Sequence, residues 1–209
     1  MEIHKSANEY GNSVFDALKK NWKVLIMLIL FTVGMVLGAV IIKNNNNAVI
    51  SAFTDIFKTY ITARKSQSIM ANFLNSLAVN SIFLLSAFVL GLCAVGIPLI
   101  SVLPVIKGLG MGMLSGYMYS KFALSGLGYC VLIIYPGLIM SAFALLLSCS
   151  TAVSTSYEML LSLSSNKTIK GEGSLKFYCT KFILIVAITI LSSVLDAIVL
   201  RLFSGLFSF

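Results

Sequence analysis

The chain has 209 residues, 58% of them hydrophobic and only 11% charged, with a formal net charge of +8. Its mean hydropathy is +0.98. A water-soluble domain carries about 25% charged residues, so too little polar surface remains here to cover a soluble globule, and the apolar excess must face lipid or itself. The positive charge does not point to nucleic acid, because the cations flank apolar runs instead of forming a basic stripe; anionic headgroups account for them better.

The first twenty or so residues are polar, and the first apolar run is too long for the core of a leader, which predicts a retained anchor. Ser13 to Lys23 reads as a short amphipathic helix lying on the membrane surface, or simply as a polar cap on the first span. Residues 24–42 carry no charge. At 1.5 Å per residue this run nearly matches a hydrocarbon layer of about 30 Å. Gly34 and Gly38 within it form a GxxxG, which permits close approach of another helix.

Four asparagines, Asn44 to Asn47, break the pattern and favour a turn. Residues 48–75 then alternate apolar and polar positions at helical spacing, too polar to span, and predict an outer amphipathic segment. The apolar stretch from Asn80 to Tyr119 is twice the length of one span. Gly96, Pro98 and Pro104 punctuate it and predict two spans, 80–100 and 103–119, joined by a tight turn. One kinked span with a re-entrant piece is the alternative. Lys107, its only charge, is expected near the cytoplasmic end of the third span, where a long side chain can snorkel. Gly108, Gly112 and Gly116 recur every four residues and predict a small-residue strip packed against a neighbour.

A short polar loop, Tyr117 to Gly128, precedes a fourth span at 127–153, which Pro136 should kink. A polar cytoplasmic loop is predicted over 156–181, and a fifth span over 182–203. The fold class is therefore an all-α polytopic bundle of about five spans in one domain, with short interfacial helices. With the N-terminus inside, nine cations fall on the inner side and six on the outer, the expected sign of bias for a protein of the cytoplasmic membrane.

Little in the sequence could carry covalent chemistry. The only histidine is His4, and Cys93, Cys130, Cys149 and Cys179 form no CxxC pair. No metal or cofactor site is expected, nor an enzyme, since nucleophile–base pairs, a P-loop and metalloprotease motifs are all missing. Asp196, an acid inside the last apolar run, is the residue to single out, because an intramembrane acid is costly and by default functional. The alternative is structural, with Asp196 hydrated or paired with Arg201. A small transporter would use Asp196, Lys107 and the kinked fourth span as a polar path and would show a water-accessible cavity reaching Asp196.

Several positions carry a family resemblance: Asn75 and Asn80, Gly91, the Gly96-Ile97-Pro98 turn, Lys107-Gly108 followed by Gly112 and Gly116, Pro136, and Ser192, Ser193 and Asp196-Ala197. In these the chain resembles the stage II sporulation protein M family of bacterial membrane proteins over most of its length. It departs from that pattern at Tyr135-Pro136-Gly137, where many members carry a His-Gly and a Glu, and at Asp196, where a glutamate is usual. The resemblance implies five spans and a non-enzymatic role: a membrane scaffold that assembles with membrane-anchored, cell-wall-degrading partners during engulfment of a forespore. Expected partners are thus the bilayer, such cell-wall proteins and, as a further option, a second copy of the chain, with no nucleic acid.

Overall fold

The computed structural model describes residues 22–44, 56, 59, 62–64, 67–164 and 171–203, with side chains omitted at 163–164 and 171–175. The predicted helix at Ser13–Lys23 and most of the 48–68 segment lie outside these residues. Among the described residues five long α-helices follow in order: α1 (Trp22–Asn44), α2 (Ile69–Gly91), α3 (Ile97–Tyr129), α4 (Tyr135–Ser164) and α5 (Gly171–Phe203), with a π-helical turn at Cys130–Ile134 between α3 and α4. No strand occurs among the described residues, and the fold is an all-α helical bundle.

Among the described residues, four continuous helical stretches are long and apolar enough to cross a membrane. The longest, Ile97–Ser162, has 66 residues, which as one straight helix would reach about 100 Å, more than three hydrocarbon layers. It doubles back at Ala123, whose backbone (φ 48°, ψ −129°) is non-helical. The two arms then pack together: the hydroxyls of Ser115 and Tyr135 are 2.9 Å apart, and Leu114, Tyr117 and Met118 share a buried cluster with Tyr129, Cys130 and Ile133. This stretch is therefore a helical hairpin of two antiparallel arms. Ala123 is the one non-glycine residue with positive φ among those described.

The spans differ from the sequence expectation mainly in where they begin and end. The second starts at Ile69, not near 80, so residues 69–75 of the predicted outer segment belong to it. Ser68 caps it, its hydroxyl accepting from the Ala71 N–H at 3.2 Å. The turn after it is complete by Gly96, which leaves Pro98 in the first turn of α3 and Pro104 buried inside that helix. Proline is tolerated in a first helical turn because its missing N–H has no helical partner there. Within the predicted loop at 156–181, helix occupies the residues up to Ser164 and from Gly171 on, since both flanking helices run past the apolar core; residues 165–170 lie outside those described. Long amphipathic extensions of this kind carry too many polar residues to read as span.

Two seams hold the bundle. Along the first, α1 and α3 run parallel with their backbones in direct contact. A Cβ at Gly34 or Gly38 would strike the carbonyls of Val105 or Leu109, and one at Gly108 or Gly112 those of Phe31 or Met35. Gly116 faces Ala39 at 3.3 Å. Lipid tails are as apolar as leucine, so association inside a bilayer depends on such close van der Waals approach. The second seam joins α2, α4 and α5. At one end of the bundle, Phe88 stacks on Tyr178 with ring centroids 5.2 Å apart, and the Tyr178 hydroxyl donates to the Phe88 carbonyl at 2.9 Å. Gly91 leaves the room that Tyr178 and Ala152 occupy. Large apolar side chains such as Ile29, Val36, Leu85, Ile183 and Leu191 point outward, the arrangement expected of a lipid-facing surface.

Candidate functional site

Asp196 lies seven residues before the end of α5, about 10 Å along the helix. Its carboxylate is buried and bonded to the guanidinium of Arg64, from the segment just before α2. The expected partner, Arg201, is exposed on the next turn of α5 and makes no ion pair with Asp196. An i,i+5 spacing points Arg201 away from the face that Asp196 occupies, whereas Arg64 enters from across the bundle. Asn72 holds Arg64 in place: its side-chain N–H donates to the Arg64 carbonyl at 2.9 Å.

The floor of the site comes from the proline region of α4. Pro136 has no N–H to give the preceding turn, and the chain absorbs this with the π turn at Cys130–Ile134, closed by the Tyr135 N–H on the Cys130 carbonyl. Gly137 follows and lies directly against Asp196; a Cβ there would come within 2.6 Å of the Asp196 Cβ. The Gly137 carbonyl accepts from the Ser192 hydroxyl at 2.8 Å, so α5 satisfies a backbone group next to the kink. The helix break and the acid thus form one structure.

Beside the ion pair is a cavity of about 140 Å3, walled by Asn72, Asn75, Ser76, Val79 and Asn80 of α2, by Gly137, Leu138 and Ser141 of α4, and by Arg64 and Asp196. The polar residues of α2 fall at i, i+3, i+4 and i+8, a single helix face. At its deep end, Asn80 accepts from the Lys107 ammonium at 2.8 Å, which also stands over the Phe83 ring, 5.5 Å from its centroid. Lys107 is not at a span end. With α3 beginning at Ile97, it sits about 15 Å along the helix, near mid-depth, and the Asn80 carboxamide takes the place of the interfacial water that snorkelling would have supplied.

The glycine strips and Pro136 therefore lie at helix contacts and at a helix irregularity, and Asp196 and Lys107 are joined through the same polar cavity. Arg201 is outside it. Sequence reasoning did not single out Arg64, Asn72, Ser141 or Gly137. The one-sided spacing of Asn72, Asn75, Ser76 and Asn80 was the available signal; nothing local marks Arg64. Among the described residues no cluster of three or more His, Cys, Asp or Glu could hold a metal ion.

No curated protein and no solved structure is significantly similar to the chain. The family model for stage II sporulation protein M matches residues 27–200, which takes in all five helices apart from the outer ends of the first and last. With its all-α bundle of long apolar helices, and with Gly137 and Asp196 both inside that match, this multi-pass membrane protein belongs to the stage II sporulation protein M family.

Proposed function

We propose that the chain is a non-enzymatic scaffold of the cytoplasmic membrane, with its N-terminus inside, that positions membrane-anchored, cell-wall-remodelling partners during sporulation. The observation that carries this reading is the buried Arg64–Asp196 pair. The acid inside the last span is matched by a cation of the protein itself, and the pair fastens the segment before α2 to α5. Such a fastening gives that segment a fixed base from which to meet a partner. Buried ion pairs serve better for specifying one arrangement than for adding net stability, and that suits an assembly surface.

A second reading, a small permease, has one observation in its favour: a cavity does reach Asp196. Two experiments separate the readings. Affinity purification of the full chain from its native membrane, after cross-linking, should enrich membrane-anchored cell-wall-degrading proteins, and proteoliposomes of the chain alone should show no proton-driven flux. Flux that disappears in Asp196→Asn, with folding and assembly intact, would overturn the scaffold and establish the permease.

A further inference from the structure

At the end of the bundle where α1 and α3 begin there is a second cavity, a groove apart from the Asp196 site. Its walls include Ile26 and Met27 of α1, Ile97 of α3 and Val153 of α4. The Ser156 hydroxyl of α4 donates to the Cys93 carbonyl at 2.6 Å, in the turn before α3, which brings this part of α4 level with the starts of α1 and α3. The groove has a volume of about 460 Å3, within the range of about 300–1,000 Å3 usual for small-molecule sites.

Its residues place it in the bilayer. Trp22 and Tyr157 line its outer margin, each about half exposed, and these residue types favour the boundary between headgroups and hydrocarbon. One helical turn further in, the walls are the apolar side chains of Ile26 and Val153. The groove therefore starts at headgroup level and runs into the hydrocarbon.

Lys23 also lines it, at the outer level. The Lys23 ammonium donates to the Ser154 hydroxyl at 2.8 Å, and that hydroxyl donates in turn to the Ser150 carbonyl. The ammonium is thereby held against α4 with two N–H groups to spare, and no carboxylate among the described residues pairs with it. A fixed cation above an apolar cleft, at the membrane boundary, complements a phosphate above an acyl chain. A soluble anion would meet only the cation, and a plain hydrocarbon only the cleft.

We propose that this groove holds one anionic phospholipid, with its phosphate on the Lys23 ammonium and the first part of an acyl chain between Ile26, Met27, Ile97 and Val153. The inference stands independently of the scaffold reading. Residues 1–21, which run directly into Trp22, are the competing occupant.

The test uses the full chain in neutral detergent micelles, with native mass spectrometry of retained lipid. Phosphatidylglycerol competes with phosphatidylcholine of the same acyl chains, whose choline offsets the phosphate charge. The wild type should retain phosphatidylglycerol over phosphatidylcholine by about fivefold, the factor that one lysine near an anionic headgroup supplies. Lys23→Gln can still bond Ser154 but carries no charge, and should remove most of that preference; Lys23→Arg should keep it. Lys43→Gln, which neutralises an exposed cation in the last turn of α1, should leave the ratio unchanged. Val153→Phe narrows the cleft without changing charge and should lower retention of both lipids; if it fails to fold, the lysine variants decide alone. A preference that Lys23→Gln leaves intact, or that Lys43→Gln lowers equally, would overturn the proposal, since it would then belong to the overall charge of the protein. In the native membrane, benzoylphenylalanine at position 97 should cross-link to lipid on irradiation. Cross-linking to residues 1–21 instead would also overturn the proposal and give the groove to the chain itself.

Discussion

The α1–α3 seam and the Asp196 cavity are both places where helices meet inside the membrane, yet they are built on opposite principles. The seam is dry and made of backbone. Gly34, Gly38, Gly108 and Gly112 let two parallel helices touch with no side chain between them, each glycine lying against the facing backbone at Val105, Leu109, Phe31 or Met35. The cavity region is polar and made of side chains. Arg64, Asn72, Asn80, Lys107 and Asp196 come from four parts of the chain, and each is tolerable only because another is present. Removing an atom from the second region should therefore hurt most, while adding one should hurt most in the first.

The largest effect is expected at the ion pair. Asp196→Leu leaves the Arg64 charge without its buried partner and should cost about 3–5 kcal/mol, read as loss of folded protein in detergent and a lower Tm. The double variant Arg64→Leu/Asp196→Leu should recover most of that loss, because replacing both members by apolar groups is often close to neutral. A double variant no better than the single one would mean that the pair does not act as a unit.

Next comes the seam. Gly112→Leu drives a side chain into the Met35 backbone, and overpacking of this kind typically costs about 1–3 kcal/mol. Gly110, two residues away, has nothing within 4 Å of its would-be Cβ, so Gly110→Leu should leave the thermal midpoint almost unchanged. Equal effects at the two positions would show that the seam is not where α3 makes its contacts.

A smaller effect is expected at Gly137, where the two building principles meet. Gly137→Ala places a methyl 2.9 Å from a carboxylate oxygen of Asp196. The nearest atom is the Asp196 Cβ at 2.6 Å, which moves only with the α5 backbone, but one methyl displaces less than the leucine at 112, so the cost should be about 1–2 kcal/mol. The smallest effect should come from Ser192→Ala, which removes the 2.8 Å hydrogen bond to the Gly137 carbonyl. Interhelical hydrogen bonds in membranes average about 0.6 kcal/mol, and a thermal shift measured beside Gly137→Ala would rank the two.

The sequence by itself determined the solvent. A chain with 11% charged residues has no way to cover itself for water, and runs of about twenty apolar residues in lipid can only be helices, because every backbone group must be satisfied within its own segment. The glycine strip was legible for a related reason: a four-residue period is set by helix geometry alone and needs no knowledge of the partner. The same holds for the kink region at Pro136, since the missing N–H travels with the residue type. Helix ends were less legible, as at Ile69 and at 156–164, because amphipathic turns beyond the hydrocarbon layer are held by neighbouring helices and not by their own hydropathy.

Only the tertiary structure decided who meets whom. Arg64 and Asp196 are 132 residues apart, and no local period links them. Arg201 was the nearer cation in sequence and sits on the wrong face. Lys107 looked like a residue at a span end until the start of α3 at Ile97 moved it to mid-depth, next to Asn80. The physical reason is common to all three. A buried polar group takes the partner that folding delivers within hydrogen-bonding distance, and that distance is fixed by helix packing, which one-dimensional spacing does not record.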